Sequence, residues 1–181
     1  HLYFDFNSIV HVNSARVIGE LNTLLYYIIA NKMDKIGKLS EAFNRYGLSG
    51  VNTLDEFNKI MTDEFIDNLI VNEVLNYVYT MLKNVVIPDK IEFIYIAIDG
   101  VPSRAKMMEQ KKRRYMGAVI SNVKDKIKKK YENELSKFPM RSKYEKNKVE
   151  WSRNKISPGM VFMDKLNNRL NNKRFSLKIS A

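Results

Sequence analysis

The apolar pattern opens at once. Leu2-Tyr3-Phe4-Asp5-Phe6 is a short, aromatic run of the kind that forms a buried strand. From Val17 to Met33 the period changes, with Ile18, Leu21, Leu24, Leu25, Ile28 and Ile29 at helical spacing. Lys35 to Thr53 is polar and holds three glycines, which predicts a loop or an inserted excursion. Helical spacing returns from Leu54 to Val86 through Phe57, Ile60, Met61, Phe65, Leu69, Val74, Leu75, Val78 and Leu82, until Ile87-Pro88-Asp89 stops it. Ile91 to Gly100 is nearly all apolar and is the clearest strand in the chain. A long basic stretch from Ala105 to Lys137, rich in helix formers, predicts a helix. Residues 138–155 are charged, contain a proline and predict a loop. Ser157-Pro158 reads as a helix start, continued by Val161, Phe162, Leu166 and Leu170.

Strands alternating with helices predict an α/β layout whose sheet is mainly parallel and flanked by helices. In such sheets the reactive crevice lies beyond the carboxyl ends of the strands. Both predicted strands place an aspartate there, Asp5 and Asp99.

Composition narrows the chemistry. The 181 residues suit one domain with a real core, at 45% hydrophobic and 28% charged. With no cysteine there is no disulfide, thiolate zinc site or cysteine nucleophile, and two histidines leave little for a histidine-rich metal site. No apolar run reaches the roughly 20 residues needed to span a bilayer, and no leader pattern opens the chain. The expectation is an intracellular protein, cytoplasmic first, with the nucleus or a virus particle as other settings and no membrane partner. His1 lies directly against the first strand, which suggests a segment of a longer chain.

Charge is unevenly placed. Residues 1–100 carry 8 Lys/Arg and 13 Asp/Glu, and residues 101–181 carry 23 and 7, so a net −5 is joined to +16. A polyanion held by the second half explains this, and so does a solubilising surface.

An unpaired carboxylate at Asp5 or Asp99 would cost several kcal/mol in an apolar setting. A divalent cation shared between strand ends answers that need, and so does capping of the following helix. In the basic stretch, Lys106, Gln110, Arg113 and Arg114 fall at i, i+4, i+7 and i+8. On a helix they share a sector of about 100° and could surround a phosphate, unless they are simply a solvated face. His11 suits either a partly buried, backbone-bonded structural role or stacking on a base. Trp151 suits either a loop anchor or a stacking platform.

Three blocks then resemble the 5′→3′ exoribonuclease (XRN) family. They are Tyr3-Phe4-Asp5-Phe6-Asn7-Ser8-Ile9-Val10-His11; Ala97-Ile98-Asp99-Gly100-Val101-Pro102-Ser103-Arg104-Ala105-Lys106-Met107 with Gln110 and Arg113-Arg114; and Ile156-Ser157-Pro158-Gly159-Met160-Val161-Phe162-Met163. The resemblance implies the 5′-nuclease α/β fold of flap endonucleases and PIN domains, with residues 1–181 as its N-terminal part, incomplete at both ends. It implies catalytic and metal-binding roles for Asp5 and Asp99 around Mg²⁺, with Mn²⁺ as a substitute. It assigns Lys106, Gln110, Arg113 and Arg114 to the 5′-monophosphate of a single-stranded RNA, and His11 to stacking on the terminal base.

Departures accompany the match. Residues 12–65 are longer than the family usually has there and read as a helical insertion. Pro102-Ser103 alters the usual order before Arg104, and Glu109 sets an acid inside the phosphate-binding helix. The family's further metal-binding acids normally follow the third block and its helix. The expected function is a Mg²⁺-dependent 5′→3′ exoribonuclease, and the alternative is a non-catalytic RNA-binding or structural component within a larger assembly. Preference for RNA over DNA comes from the resemblance alone, since no residue here reads a 2′-hydroxyl.

Overall fold

The computed structural model describes residues 1–85, 87, 90, 93–98, 100 and 102–172. Asp99 therefore lies outside the described residues. The chain divides into two compact units, His1–Asp99 with Lys148–Ala181, and Gly100–Asn147.

In the first unit, β1 (Leu2–Asp5) leads directly into α1 (Phe6–Ile29). The helix starts eleven residues before the Val17 read from the periodicity. Asn13 and Ser14 hid the earlier turns, because polar residues interrupt the apolar stripe there. Both are nonetheless buried. The Asn13 amide donates to the Ile9 carbonyl at 2.9 Å and the Ser14 hydroxyl to the His11 carbonyl at 3.0 Å, so each satisfies itself on its own helix.

The predicted loop after α1 is partly helical. It holds a 3₁₀ turn at Met33–Lys35 and α2 (Leu39–Arg45). The long helix read over residues 54–86 is two helices, α3 (Leu54–Ile60) and α4 (Asp63–Val85). Each has its own start. Thr53 and Glu56 form a reciprocal capping box on α3. The Thr62 hydroxyl accepts the Phe65 N–H at 3.2 Å before α4.

The core lies between helices. Val10, Val17, Leu21, Leu24 and Ile28 of α1 face Ile66, Ile70, Val74, Val78 and Leu82 of α4, all buried. Phe43, Phe57 and, from α8 (Val161–Leu170), Phe162 and Leu166 close it.

β2 (Ile94–Ala97) pairs parallel with β1, with Leu2 opposite Ile94 and Asp5 opposite Ala97. The parallel pairing agrees with the expectation. The wider sheet of a 5′-nuclease fold is not present among the described residues, which are mostly helical and contain these two strands.

Ser157-Pro158 does not start α8. Proline and glycine occupy the central positions of a type II turn, Gly159 takes φ +79°, and the Met160 N–H donates to the Ser157 carbonyl at 3.2 Å. The helix begins three residues later than the cap-proline reading implies, at Val161.

The second unit is α5 (Arg104–Lys130), α6 (Glu132–Leu135) and α7 (Pro139–Asn147). α7 replaces half of the charged loop read over residues 138–155, and a 3₁₀ turn at Arg153–Lys155 takes a further part. Its proline sits at the first helical position, where a missing N–H costs nothing. Lys128 of α5 pairs with Glu145 of α7 at 3.1 Å. Among the described residues no helix is long and apolar enough to cross a membrane.

A buried carboxylate ties the first unit together. Glu73 on α4 is 3% exposed. It accepts from Arg16 of α1 at 2.9 Å and from Arg45 at the end of α2 in a two-point contact of 2.9 and 3.0 Å. The hydrogen bond to Glu73 holds Arg45 above its ordinary pKa. Beside it, burial and then the hydrogen bond to Glu20 push the Tyr46 hydroxyl well above the ordinary tyrosine range.

The two sides of this cluster should respond unequally. Arg16→Ala with Arg45→Ala leaves a carboxylate in the core without its cations, and should cost about 3–5 kcal/mol in urea unfolding. Glu73→Gln should cost less, because side chains 40% and 45% exposed can turn to water. Equal losses would show that the arginines act by packing alone.

Candidate functional site

Asp5 ends β1 and stands at the N-cap of α1 in extended conformation. Its side chain makes no capping hydrogen bond; the backbone carbonyl accepts from the Ser8 hydroxyl at 3.1 Å. Capping therefore does not explain this carboxylate. It is exposed at the carboxyl end of the strand, where a hard oxygen donor can meet a cation or a water. Ala97, its partner across the ladder, precedes Asp99 by two residues.

The donor chemistry at Asp5 suits Mg²⁺ or Mn²⁺ in kind, but one carboxylate is not a complete site. Among the described residues no group of three His, Asp or Glu side chains could hold a metal ion.

Asn7, in the first turn after Asp5, has no role assigned by the sequence pattern. Its Oδ1 is buried and has no hydrogen-bond partner. An orphaned acceptor of this kind costs about 1–3 kcal/mol, so a donor arriving with a ligand would relieve it. Its only sequence signal is an amide at the start of an apolar helix face.

His11 is exposed on the second turn of α1, about 9 Å along the axis from Asp5 at 1.5 Å per residue. The partly buried alternative for this ring does not hold. Trp151 is a loop anchor: its indole N–H donates to Asp67 at 2.7 Å, and its ring meets Phe162 edge-on with centroids 5.0 Å apart. Lys155 donates to the same carboxylate at 3.0 Å.

Lys106, Gln110, Arg113 and Arg114 all lie on α5, in the second unit. The helix runs unbroken through them from Arg104, with Ser103 at its N-cap and no glycine before Gly117. Their spacing sets them on one side of it, within about 100°. Gln110 is half-buried and the three cations are exposed. α5 has no buried residue, so these side chains are held by helix geometry and not by a core. Asp5 and this quartet thus belong to separate units.

The first unit also holds a polar cleft of about 510 Å³ with no counterpart in the sequence reading. Its lining includes Asn68, Asn72 and Asn76, an i, i+4, i+8 row on α4, and Arg169, which donates to Asn72 at 3.0 Å. That row of amides was the available signal.

Comparison with known proteins gives the family. The chain is 33% identical over 128 residues to an uncharacterized protein of Acanthamoeba polyphaga mimivirus, covering 62% of this chain and 80% of that protein. It is 37% identical over 107 residues to 5′-3′ exoribonuclease 2 of Candida glabrata and 36% identical over 107 residues to that of Saccharomyces cerevisiae. Those matches cover 54% of this chain and 9% of each exoribonuclease. No solved structure matches. The profile of the XRN 5′-3′ exonuclease N-terminus matches residues 49–178, a span that takes in α5 and the turn before α8, and the chain belongs to that family.

Proposed function

We propose that this chain is the N-terminal part of a Mg²⁺-dependent 5′→3′ exoribonuclease that acts on single-stranded RNA bearing a 5′-monophosphate. The observation that carries this reading is α5, which sets one lysine, one amide and two guanidinium groups on one side of a helix inside the family match. Such a cluster offers charge-assisted hydrogen bonds to a terminal phosphate. A 5′-hydroxyl offers these groups no anion to bind, and a triphosphate or cap places further charge or bulk beyond the one phosphate they match. Held by its phosphate, the first nucleotide is kept in register for attack at the next phosphodiester.

Asp5 and Asp99 would hold the cation, which supplies an activated water and neutralises charge at the scissile phosphate. His11 stacks on the terminal base. His11→Ala should therefore slow degradation of a long RNA several-fold more than release of its first nucleotide, because stacking at about 1–3 kcal/mol per base recurs at every step. Equal slowing of both would return His11 to a structural role.

The test is nucleotide release from 5′-monophosphate RNA and from 5′-hydroxyl RNA, with Mg²⁺ and with EDTA. Metal-dependent release that favours the monophosphate supports the reading, and equal rates on both ends overturn it. A second reading is a non-catalytic RNA-binding component, since among the described residues, which do not include Asp99, no three acids or histidines are grouped to hold a metal ion. Tight 5′-monophosphate RNA binding without turnover would decide for it.

A further inference from the structure

Beyond the phosphate-binding turns, α5 carries an apolar seam that this unit leaves bare. Met116, Val119, Ile120, Val123 and Ile127 fall within about 100° on the helix. They are 37–52% exposed, in a helix where nothing is buried. Met116, Ile120, Val123 and Ile127 are spaced four, three and four residues apart, the alternation of a coiled-coil seam.

The charge around the seam identifies what fits it. Lys112 and Lys130 lie in line with its two ends, and Lys124 and Lys126 flank it at about 80° to either side. Between Lys112 and Lys130 the one acid, Asp125, is on the opposite side of the helix. α5 as a whole has eleven Lys/Arg and two Asp/Glu.

A second copy would bring lysines against lysines in either direction. A bilayer surface calls for a broader apolar face than this narrow line. RNA would use the lysines and leave the aliphatic side chains without a role. The α5–α7 contact at Lys128 lies about 100° round the helix from Ile127 and does not cover the seam.

We propose that this face of α5 docks an acidic amphipathic helix of a partner protein, with apolar residues at heptad spacing and carboxylates flanking them.

The test uses the whole chain and a labelled three-heptad peptide with Ile and Leu at the seam positions and Glu beside them. Two further peptides carry Lys in place of Glu, or the same composition with the heptads scrambled. Anisotropy should show binding of the Glu peptide, with a gain of helicity, and not of the other two. Ile120→Gln with Ile127→Gln should weaken it roughly 100-fold, since each loses an aliphatic contact worth about a factor of ten. Lys124→Glu with Lys126→Glu should transfer preference to the Lys peptide. All four positions are exposed, so circular dichroism should show the fold intact.

The proposal fails if the scrambled peptide binds equally well, or if the isoleucine variant binds like the parent. It also fails if the seam changes instead abolish binding to phosphatidylserine vesicles, binding to single-stranded RNA, or self-association, while the Glu peptide is ignored.

Discussion

Arg113→Ala combined with Arg114→Ala should weaken binding of 5′-monophosphate RNA by about 100-fold or more, and leave 5′-hydroxyl RNA nearly unchanged. The size follows from hydrogen bonds to charged groups, worth about 1.5–3 kcal/mol each. The selectivity follows from position: both arginines share one side of α5 with Lys106 and Gln110. General attraction to the RNA backbone would be lost on both substrates alike and would fade as salt is raised. Arg113→Lys with Arg114→Lys separates charge from shape, because lysine keeps the cation and loses the planar two-point contact. Equal losses on the two RNA ends would remove the phosphate pocket and leave α5 as a basic helix.

Asp99→Ala or Asp5→Ala, made in the longest chain that shows turnover, should lower the Mg²⁺-dependent rate by a factor of about 10³ or more. RNA binding should stay within a few-fold. If the aspartates hold the proposed cation, removing one would take away the activated water and the charge neutralisation together, each worth several kcal/mol. Binding should survive because the proposed phosphate contacts lie on α5, in the other unit. Asp5 is exposed and partnered by no side chain among the described residues, so its replacement should leave unfolding in urea unchanged. Survival of activity in either variant would take that aspartate out of the metal site. Loss of the fold with loss of activity would make it structural instead.

The local features of this chain were open to reading because each is carried by neighbouring residues. The apolar runs ending in Asp5 and after Ala97 gave two strands, and the parallel ladder confirms them as partners. The i, i+4, i+7, i+8 spacing of Lys106, Gln110, Arg113 and Arg114 needed only that α5 be a helix, and it is. The unbroken run of good formers after Ser103 ensures that.

What the pattern misjudged turned on partners far away in the chain. Asn13 and Ser14 look like a break in an apolar face until their back-bonds to α1 are seen. Glu73 looks like a surface acid on α4 until Arg16 and Arg45 arrive from α1 and α2 to hold it in the core. Trp151 could be an anchor or a stacking platform, and Asp67 and Phe162 made it an anchor.

Sequence by itself therefore determined the family blocks, the charge asymmetry and the side of α5 that carries Lys106, Gln110, Arg113 and Arg114. These depend on residue type and on a fixed helical period. Only tertiary structure decided which polar groups are buried and which apolar groups are not. Periodicity makes the Met116–Ile127 stripe look like any core-facing helix, and it stays exposed among the described residues. Burial is a property of what stands opposite, and the strand of residues that would reveal it is never adjacent in the chain.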